Sequence, residues 1–521
     1  MDSATIRQPN GVCHIVAMPH PGRGHINPMM NLCNLLVSQK SDILITFVLT
    51  EEWLGLIGSQ AKPDNIRFAT IPNVVPSEKE RAADMVAFFE AVMTKMEVPF
   101  EQLLEVLEPP PSAIVADTFL PWAVAVGNRR NISSASFWPM TGSHFSVFQH
   151  FHLFQQNGHF PIDLLGYQST IHFYQCLVVQ VVRSLFPLSK VSSSNLVNGA
   201  ASIERAFPLN RVRPGSRWIS PCLRHNYCLT EKGNERVDYI PGVSSIRLAD
   251  TTNFIDGSQS KILDNILKAF SWVPKAQYLF VTSIYELETQ VIDAIRSELS
   301  QPVYTIGPLL PSFKAISPTG TNHLQWLDSQ PCSSVLYISM GSFLSVSSAQ
   351  MDEIAVGLRK SGVRFFWVAR TETNRLQEVC GDMGLVVPWC DQFRVLCHSS
   401  VGGYWSHCGW NSVRECVFGG VPFLTFPITF DQGTNSKVVV EDWKIGWRVK
   451  STEVKIDHLV TSEEIAVLVK KFMDLEDDEG KELRRRTSQL QQIWKGAIAE
   501  GGSTKTDINA FIRDISQSLE G

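Results

Sequence analysis

Short apolar runs alternate with stretches of helical spacing through the first 120 residues. "HIVAMP", "ILITFVLT", "IRFATIP" and "AIVADTF" (113–119) read as buried strands, because apolar runs this short, bounded by turn signals, suit a strand better than a helix. Between the first two, "INPMMNLCNLLVSQK" carries its apolar residues at helical spacing. A second series runs through "SVLYISMGS", "VRFFWVAR", "GGYWSH", "VPFLTFP" and "IGWRV". Strands alternating with helices predict parallel βαβ units. Two such series predict an α/β protein of two doubly wound domains facing a cleft. The Pro- and Gly-containing "VYTIGPLLPSFKAISPTGTN" (303–322) reads as the linker, and the chain closes on polar, helix-rich sequence.

One segment breaks this pattern. Between Asp163 and Glu231 the only acidic residue is Glu204, against seven Lys or Arg, and the apolar positions keep no period. Such a change in composition marks an insertion or loop more often than a core. Residues 166–230 are therefore expected to be an atypical insert, or translated intron sequence, outside the active site.

Composition narrows the function classes. The chain is 44% hydrophobic, with 13 Trp and 29 Phe, which is ample material for large cores. A formal net charge of -5 favours neither nucleic acid nor an anionic membrane as partner. Eleven scattered cysteines without paired metal spacing predict reduced thiols, a cytoplasmic setting and no metal site. No signal peptide is read at the N-terminus. The most apolar internal run, "CLVVQVV", is far short of the ~20 residues of a membrane span.

Two stretches carry the chemistry. The first, "PHPGRGHINPMM" (19–30), joins a strand to a helix through glycines, the place where open parallel sheets bind ligands. A dinucleotide fingerprint fails at Asn27 and a Walker lysine is missing, which disfavours a nicotinamide-dependent dehydrogenase. His25 is the unusual residue there. The second stretch runs from Trp389 to Gln432, "WCDQFRVLCHSSVGGYWSHCGWNSVRECVFGGVPFLTFPITFDQ". Its "HCGWNS" is a Gly-containing turn before a helix, with Asn and Ser as cap, and it offers free backbone N–H groups to an anion. His407 and Ser412 add donors. Glu415, one turn beyond Asn411, can accept two ribose hydroxyls. Trp389 offers a flat face for a base, and Asp431 and Gln432 suit a polyhydroxylated sugar. Each residue alone has an ordinary structural explanation; the order and spacing together describe a nucleotide-sugar pocket.

This box closely resembles the signature of plant secondary-product UDP-glycosyltransferases. "HCGWNS", "GVP" and "DQ" fall at that family's spacing, "QWLDSQPCSSVLYISMGS" (325–342) resembles its preceding segment, and "PHPGRGHINP" its catalytic loop. The resemblance spans nearly the whole chain outside residues 166–230. It implies the GT-B architecture: an acceptor-binding Rossmann-like domain at 1–302, the linker at 303–322, and a UDP-sugar-binding Rossmann-like domain at 323–500. A terminal helix at 501–521 is expected to pack back on the first domain.

By position, the resemblance makes His25 the general base on an acceptor hydroxyl, oriented by Asp117. Trp389 would stack on uracil, Gln392 would hold the ribose or base edge, and Glu415 would bind the ribose. Ser342, His407, Asn411 and Ser412 would hold the diphosphate. Trp410, Asp431 and Gln432 would contact the sugar, and Cys390 and Gly409 would complete the donor site. A final Gln goes more often with glucose than with galactose. The implied reaction inverts configuration, uses UDP-glucose as donor and needs no metal or other cofactor. Its expected acceptor is a small apolar hydroxylated molecule such as a flavonoid, another phenolic, a terpenoid or a hormone. Phe119, Phe137, Trp138 and Phe145 are candidates for the acceptor pocket, within an aromatic stretch at 137–154. Asp391 stands where the family has proline, which leaves the turn beside Trp389 open. The chain is expected to act as a monomer. The alternative is a non-catalytic nucleotide-sugar or small-molecule binder, inactivated by the insert.

Overall fold

The computed structural model describes residues 13–58, 62–78, 81, 84–161, 231–252, 254, 260–311, 321–342, 346–449 and 459–517. The expected insert at 166–230 lies wholly outside the described residues, and so does 312–320 of the expected linker.

The first lobe is built on β1 (Cys13–Met18), β2 (Ile43–Thr50), β3 (Ile66–Ile71), β4 (Ala113–Asp117) and β5 (Ser133–Trp138). A short antiparallel pair, β6 (Arg236–Val237) and β7 (Ile246–Arg247), stands apart from the sheet. The sheet is completed by β8 (Tyr278–Val281) and β9 (Val303–Thr305), in the order β3-β2-β1-β4-β5-β8-β9, all parallel. Every residue of β1 and of β4 is buried, as a parallel sheet covered by helices on both faces requires.

The second lobe repeats the plan with β10 (Val335–Ser339), β11 (Arg364–Val368), β12 (Gly384–Val387), β13 (Val401–Ser406), β14 (Phe423–Thr425) and β15 (Gly446–Arg448). Its order is β12-β11-β10-β13-β14-β15, again all parallel. Strand order reverses between β1 and β4 in one sheet and between β10 and β13 in the other. A crevice opens at such a switch point, beyond the strand C-termini. His25 and Asp117 follow β1 and end β4; Ser342 and His407 follow β10 and β13.

One boundary differs from the sequence expectation. Val303–Thr305, assigned to the linker, is the edge strand of the first sheet, paired with Leu279–Val281. Pro302, Gly307 and Pro308 flank it closely enough to make three strand residues read as loop. The terminal helix Ser503–Gln517 packs on that same edge, burying Ile508, Phe511, Ile512 and Ile515 in a first-lobe core. Asp507 accepts from the Thr305 backbone and hydroxyl, both at 2.7 Å.

The lobes are also tied directly. Arg448 pairs with Asp250 at 2.9 Å and Arg236 with Glu441 at 2.6 Å. The Thr434 hydroxyl donates to the carbonyls of Asp250 and Thr251, each at 2.9 Å. Among the described residues no helix is long and apolar enough to cross a membrane.

Candidate active site

A cleft of about 1140 Å³ lies between the two switch points and is lined by both lobes. His25 enters it from the first turn of the helix Arg23–Gln39, whose N-cap is Gly22. Its Nδ1 lies 2.7 Å from Oδ2 of Asp117. Asp117 is 1% exposed, and its Oδ1 accepts from the Phe119 backbone at 3.0 Å. A carboxylate can only accept, so this pairing puts the proton on Nδ1 and the lone pair on Nε2. No hydrogen bond occupies Nε2 among the described residues, and the ring is one-fifth exposed.

The second-lobe wall contains all twelve residues expected at the donor site, from Ser342 and Trp389 through Gln432. The helix Trp410–Gly419 begins at Gly409, not at the expected Asn-Ser cap, and has no side-chain cap. Its first N–H groups are thus left for a ligand, and the helix dipole favours an anion there. The His407 ring sits over this turn, so close that a Cβ on Gly341 or Gly409 would come within 2.6 Å of its Nε2. Gly341 also has φ +86°, a conformation open to glycine. Burial lowers the His407 pKa to about 4, so the ring is neutral near pH 7.

Glu415 and Gln392 form one unit. Gln392 Nε2 donates to Glu415 at 2.7 Å and to Ser412 at 3.0 Å. Its Oε1 accepts from the Tyr337 and Tyr404 hydroxyls. Burial pushes the Glu415 carboxyl up to about 7, against the lowering effect of Gln392 and Arg414. Asp391 resolves the turn that its replacement of proline left open. It is the N-cap of the helix Gln392–Leu396, and its carboxylate accepts from the Arg394 backbone at 3.3 Å. Trp389, beside it, is 58% exposed at the cleft rim, a broad apolar face of the kind a base can cover.

At the sugar end, burial raises Asp431 to about 6. Its Oδ2 accepts from Asn435 at 2.6 Å. Gln432 Oε1 accepts from the backbones of Ile428 and Thr429 at 2.7 and 3.0 Å, so its amide N–H groups remain for a ligand. The Trp410 indole N–H is already used, donating to Thr282 across the lobes at 3.1 Å.

The remaining wall is aromatic. Phe119 lines the cleft, but Phe137, Trp138 and Phe145 stand behind it, each 0% exposed. Neighbouring strand residues point to opposite faces. Phe137 therefore joins the core under the other side of the sheet, while Trp138 and Phe145 pack on Phe270. From the 137–154 stretch it is Pro139, Met140, His144 and Phe148 that reach the cleft, joined by Phe88, Phe89, Phe254 and Phe430. Burial brings His144 down to about 3, and its Nδ1 lies 3.1 Å from the Thr434 hydroxyl.

Sequence reading also missed Arg414. Its guanidinium donates to the Pro308 carbonyl at 2.7 Å and to Asn411 Oδ1, joining linker and donor-site helix. Only a tertiary contact identifies it. Among the described residues, no three His, Cys, Asp or Glu are placed to hold a metal.

Two parallel-sheet lobes with a nucleotide-sugar wall facing a His–Asp pair define the GT-B class of glycosyltransferase. A profile of the family described as "UDP-glucoronosyl and UDP-glucosyl transferase" matches residues 309–482. The chain is 45% identical to UDP-glycosyltransferase 87A1 of Arabidopsis thaliana over 505 residues, 96% of this chain and 100% of that protein. It is 44% identical to UDP-glycosyltransferase 87A2 of the same plant over 516 residues, 98% of each. Among solved structures, UGT71G1 of Medicago truncatula complexed with UDP-glucose superposes with a TM-score of 0.71 at 23% identity, covering 97% of this chain and 98% of that one. A UDP-glucosyltransferase of Polygonum tinctorium capable of glucosylating indoxyl, in complex with 3,4-dichloroaniline, gives 0.74 at 22% identity, covering 98% and 100%. This chain belongs to the plant UDP-glycosyltransferase family, enzymes that transfer a sugar from a UDP-sugar to an acceptor.

Proposed function

We propose that the enzyme transfers glucose from UDP-glucose to a hydroxyl of a small apolar acceptor, a phenolic before other classes, with inversion at the anomeric carbon. The observation that carries this reading is the 2.7 Å His25–Asp117 pair, set in the same cleft as the donor-site residues. His25 Nε2 takes the proton of the acceptor hydroxyl as that oxygen attacks the anomeric carbon. Asp117 fixes the tautomer and stabilises the imidazolium that forms. The C1–O bond to the diphosphate breaks, and UDP leaves as an anion.

Trp389 stacks on the base, and Glu415, held by Gln392, accepts the ribose hydroxyls. The uncapped N-terminus of the helix Trp410–Gly419, with Ser342, His407, Asn411 and Ser412, takes up the leaving charge. In this reading no metal is required. Asp431 and the free amide of Gln432 meet the sugar hydroxyls, and Gln432 supports glucose over galactose. Phe88, Phe89, Phe119 and Phe148 support an apolar, flat acceptor. The named relatives that bind UDP-glucose or glucosylate indoxyl agree with this assignment. The enzyme works as a monomer in the cytoplasm on this reading.

The test is UDP release and product mass with UDP-glucose, UDP-galactose and UDP-glucuronic acid against a panel of phenols, terpenoid alcohols and hormones, with and without EDTA. Transfer of glucose to phenols, indifferent to EDTA, is expected. Stronger use of another donor, or UDP binding without transfer to any acceptor, would overturn the proposal; the second outcome favours the non-catalytic alternative.

A further inference from the structure

His20 is a cleft group whose chemistry the reaction above leaves unused. It stands two residues beyond β1, and it is among the residues that line the cleft. The residue is 4% exposed, and among the described residues neither ring nitrogen has a hydrogen-bond partner. The neighbouring rings supply none. Phe88 and Phe89 lie 5.6 Å away between centroids and Phe119 6.1 Å. The His25 ring lies at 4.7 Å, and its Nδ1 is taken by Asp117. A buried imidazole with both nitrogens unpaired is a standing cost to the fold that phenylalanine or leucine would avoid. Such an unexplained polar group beside a catalytic one calls for a ligand. Burial, together with His25 and Arg81, holds the His20 pKa well below the usual histidine value. The ring is therefore neutral, with one N–H donor and one acceptor to offer.

We propose that His20 is a specificity-determining residue that hydrogen-bonds a second oxygen of the acceptor, on the carbon next to the one bearing the reactive hydroxyl. The acceptor class is then the ortho-dihydroxy aromatic. This rests on His25 holding the reactive hydroxyl. Oxygens on adjacent ring carbons are separated by roughly one hydrogen-bond length, which two imidazoles 4.7 Å apart can serve together; a more distant oxygen overshoots His20. Phe88, Phe89 and Phe119 form the apolar surround such a ring needs. Because His20 stays neutral, it adds no repulsion when His25 takes the proton.

The experiment compares kcat/KM for 4-methylcatechol and 4-methylphenol with UDP-glucose, in the wild type and in His20→Phe and His20→Gln. The wild type should prefer the catechol by about tenfold or more, the scale of one hydrogen bond left unmade. In His20→Phe that ratio should collapse, chiefly through KM for the catechol, and His20→Gln should restore part of it. UDP affinity by calorimetry reports whether each variant is folded. A ratio unchanged in His20→Phe, or an equal fall for both phenols in both variants, would overturn the inference. Should His20→Phe fail to bind UDP, the wild-type ratio decides, and absence of a catechol preference overturns it. Equal wild-type transfer to both phenols sinks only the role of His20. A wild type that binds UDP-glucose but glucosylates neither phenol sinks the phenolic reading as well.

Discussion

The side-chain amide of Asn411 donates to the Gly24 carbonyl across the cleft at 3.2 Å. Asn411 stands at the start of the donor-site helix and Gly24 directly before His25. The two lobes therefore meet at the residues where the chemistry is expected. Asn411 is held in turn by Arg414, and Arg414 by the Pro308 carbonyl. A short polar chain thus runs from linker to catalytic loop.

His25→Ala should lower kcat by about 10²- to 10⁴-fold, the usual worth of a positioned base. UDP affinity should be unchanged, because the ring touches no donor-site residue by hydrogen bond. Asp117→Asn should lose a comparable amount while keeping the fold, through the wrong tautomer. Steady-state kinetics with calorimetric UDP titration checks both; full turnover in His25→Ala removes the base assignment.

Gly341→Ala should weaken UDP binding by about tenfold or more. The new methyl would sit 2.6 Å from His407 Nε2, and the left-handed backbone adds about 1–2 kcal/mol of strain. Gly362→Ala, at φ +67° with nothing within 4 Å, carries the strain without the collision. A similar loss of UDP affinity in both variants would contradict the steric account.

Glu415→Gln should trade affinity for stability in a pH-dependent way. The folded carboxyl titrates near 7, above its ordinary 4.5. Between those values the folded protein holds a proton that the unfolded chain has released. Stability therefore falls as pH rises through this window and stays at its lower level above it. The variant removes that loss, so its Tm gain should be small at pH 4.5 and largest near pH 8, while UDP affinity drops. Thermal melts at the two pH values test this; a gain larger at low pH would reverse the sign.

Arg414→Met should destabilise the protein by about 2–4 kcal/mol, since it strands buried carbonyls and the Asn411 side chain. The guanidinium is 2% exposed over the residue, and burial lowers its pKa to about 10. Denaturant unfolding measures the loss. An unchanged midpoint would show that the linker carbonyls find other partners.

The donor wall was legible because eleven of its twelve expected residues, all but Ser342, lie within one 44-residue stretch whose spacing survives folding. The acceptor side was not. Whether Phe137 or Phe148 reaches the cleft depends on which face of β5 or of a helix each occupies, and the aromatic stretch carried no alternation to decide it. β5, "SSASFW", lacked the apolar start of its neighbours, and β9 hid between prolines. His20 and Arg414 acquire meaning only from what surrounds them in space.

The helix Ser503–Gln517 closes the core of the lobe whose last strand ends at Thr305. On a ribosome adding about 5–20 residues per second, that strand must wait roughly 10–40 s for its cover. Through this interval Tyr304 and Phe280, later packed on Phe511, have no such partner. Nascent chains of this protein are thus obliged to keep an unfinished first lobe until Ser503–Gln517 has been made.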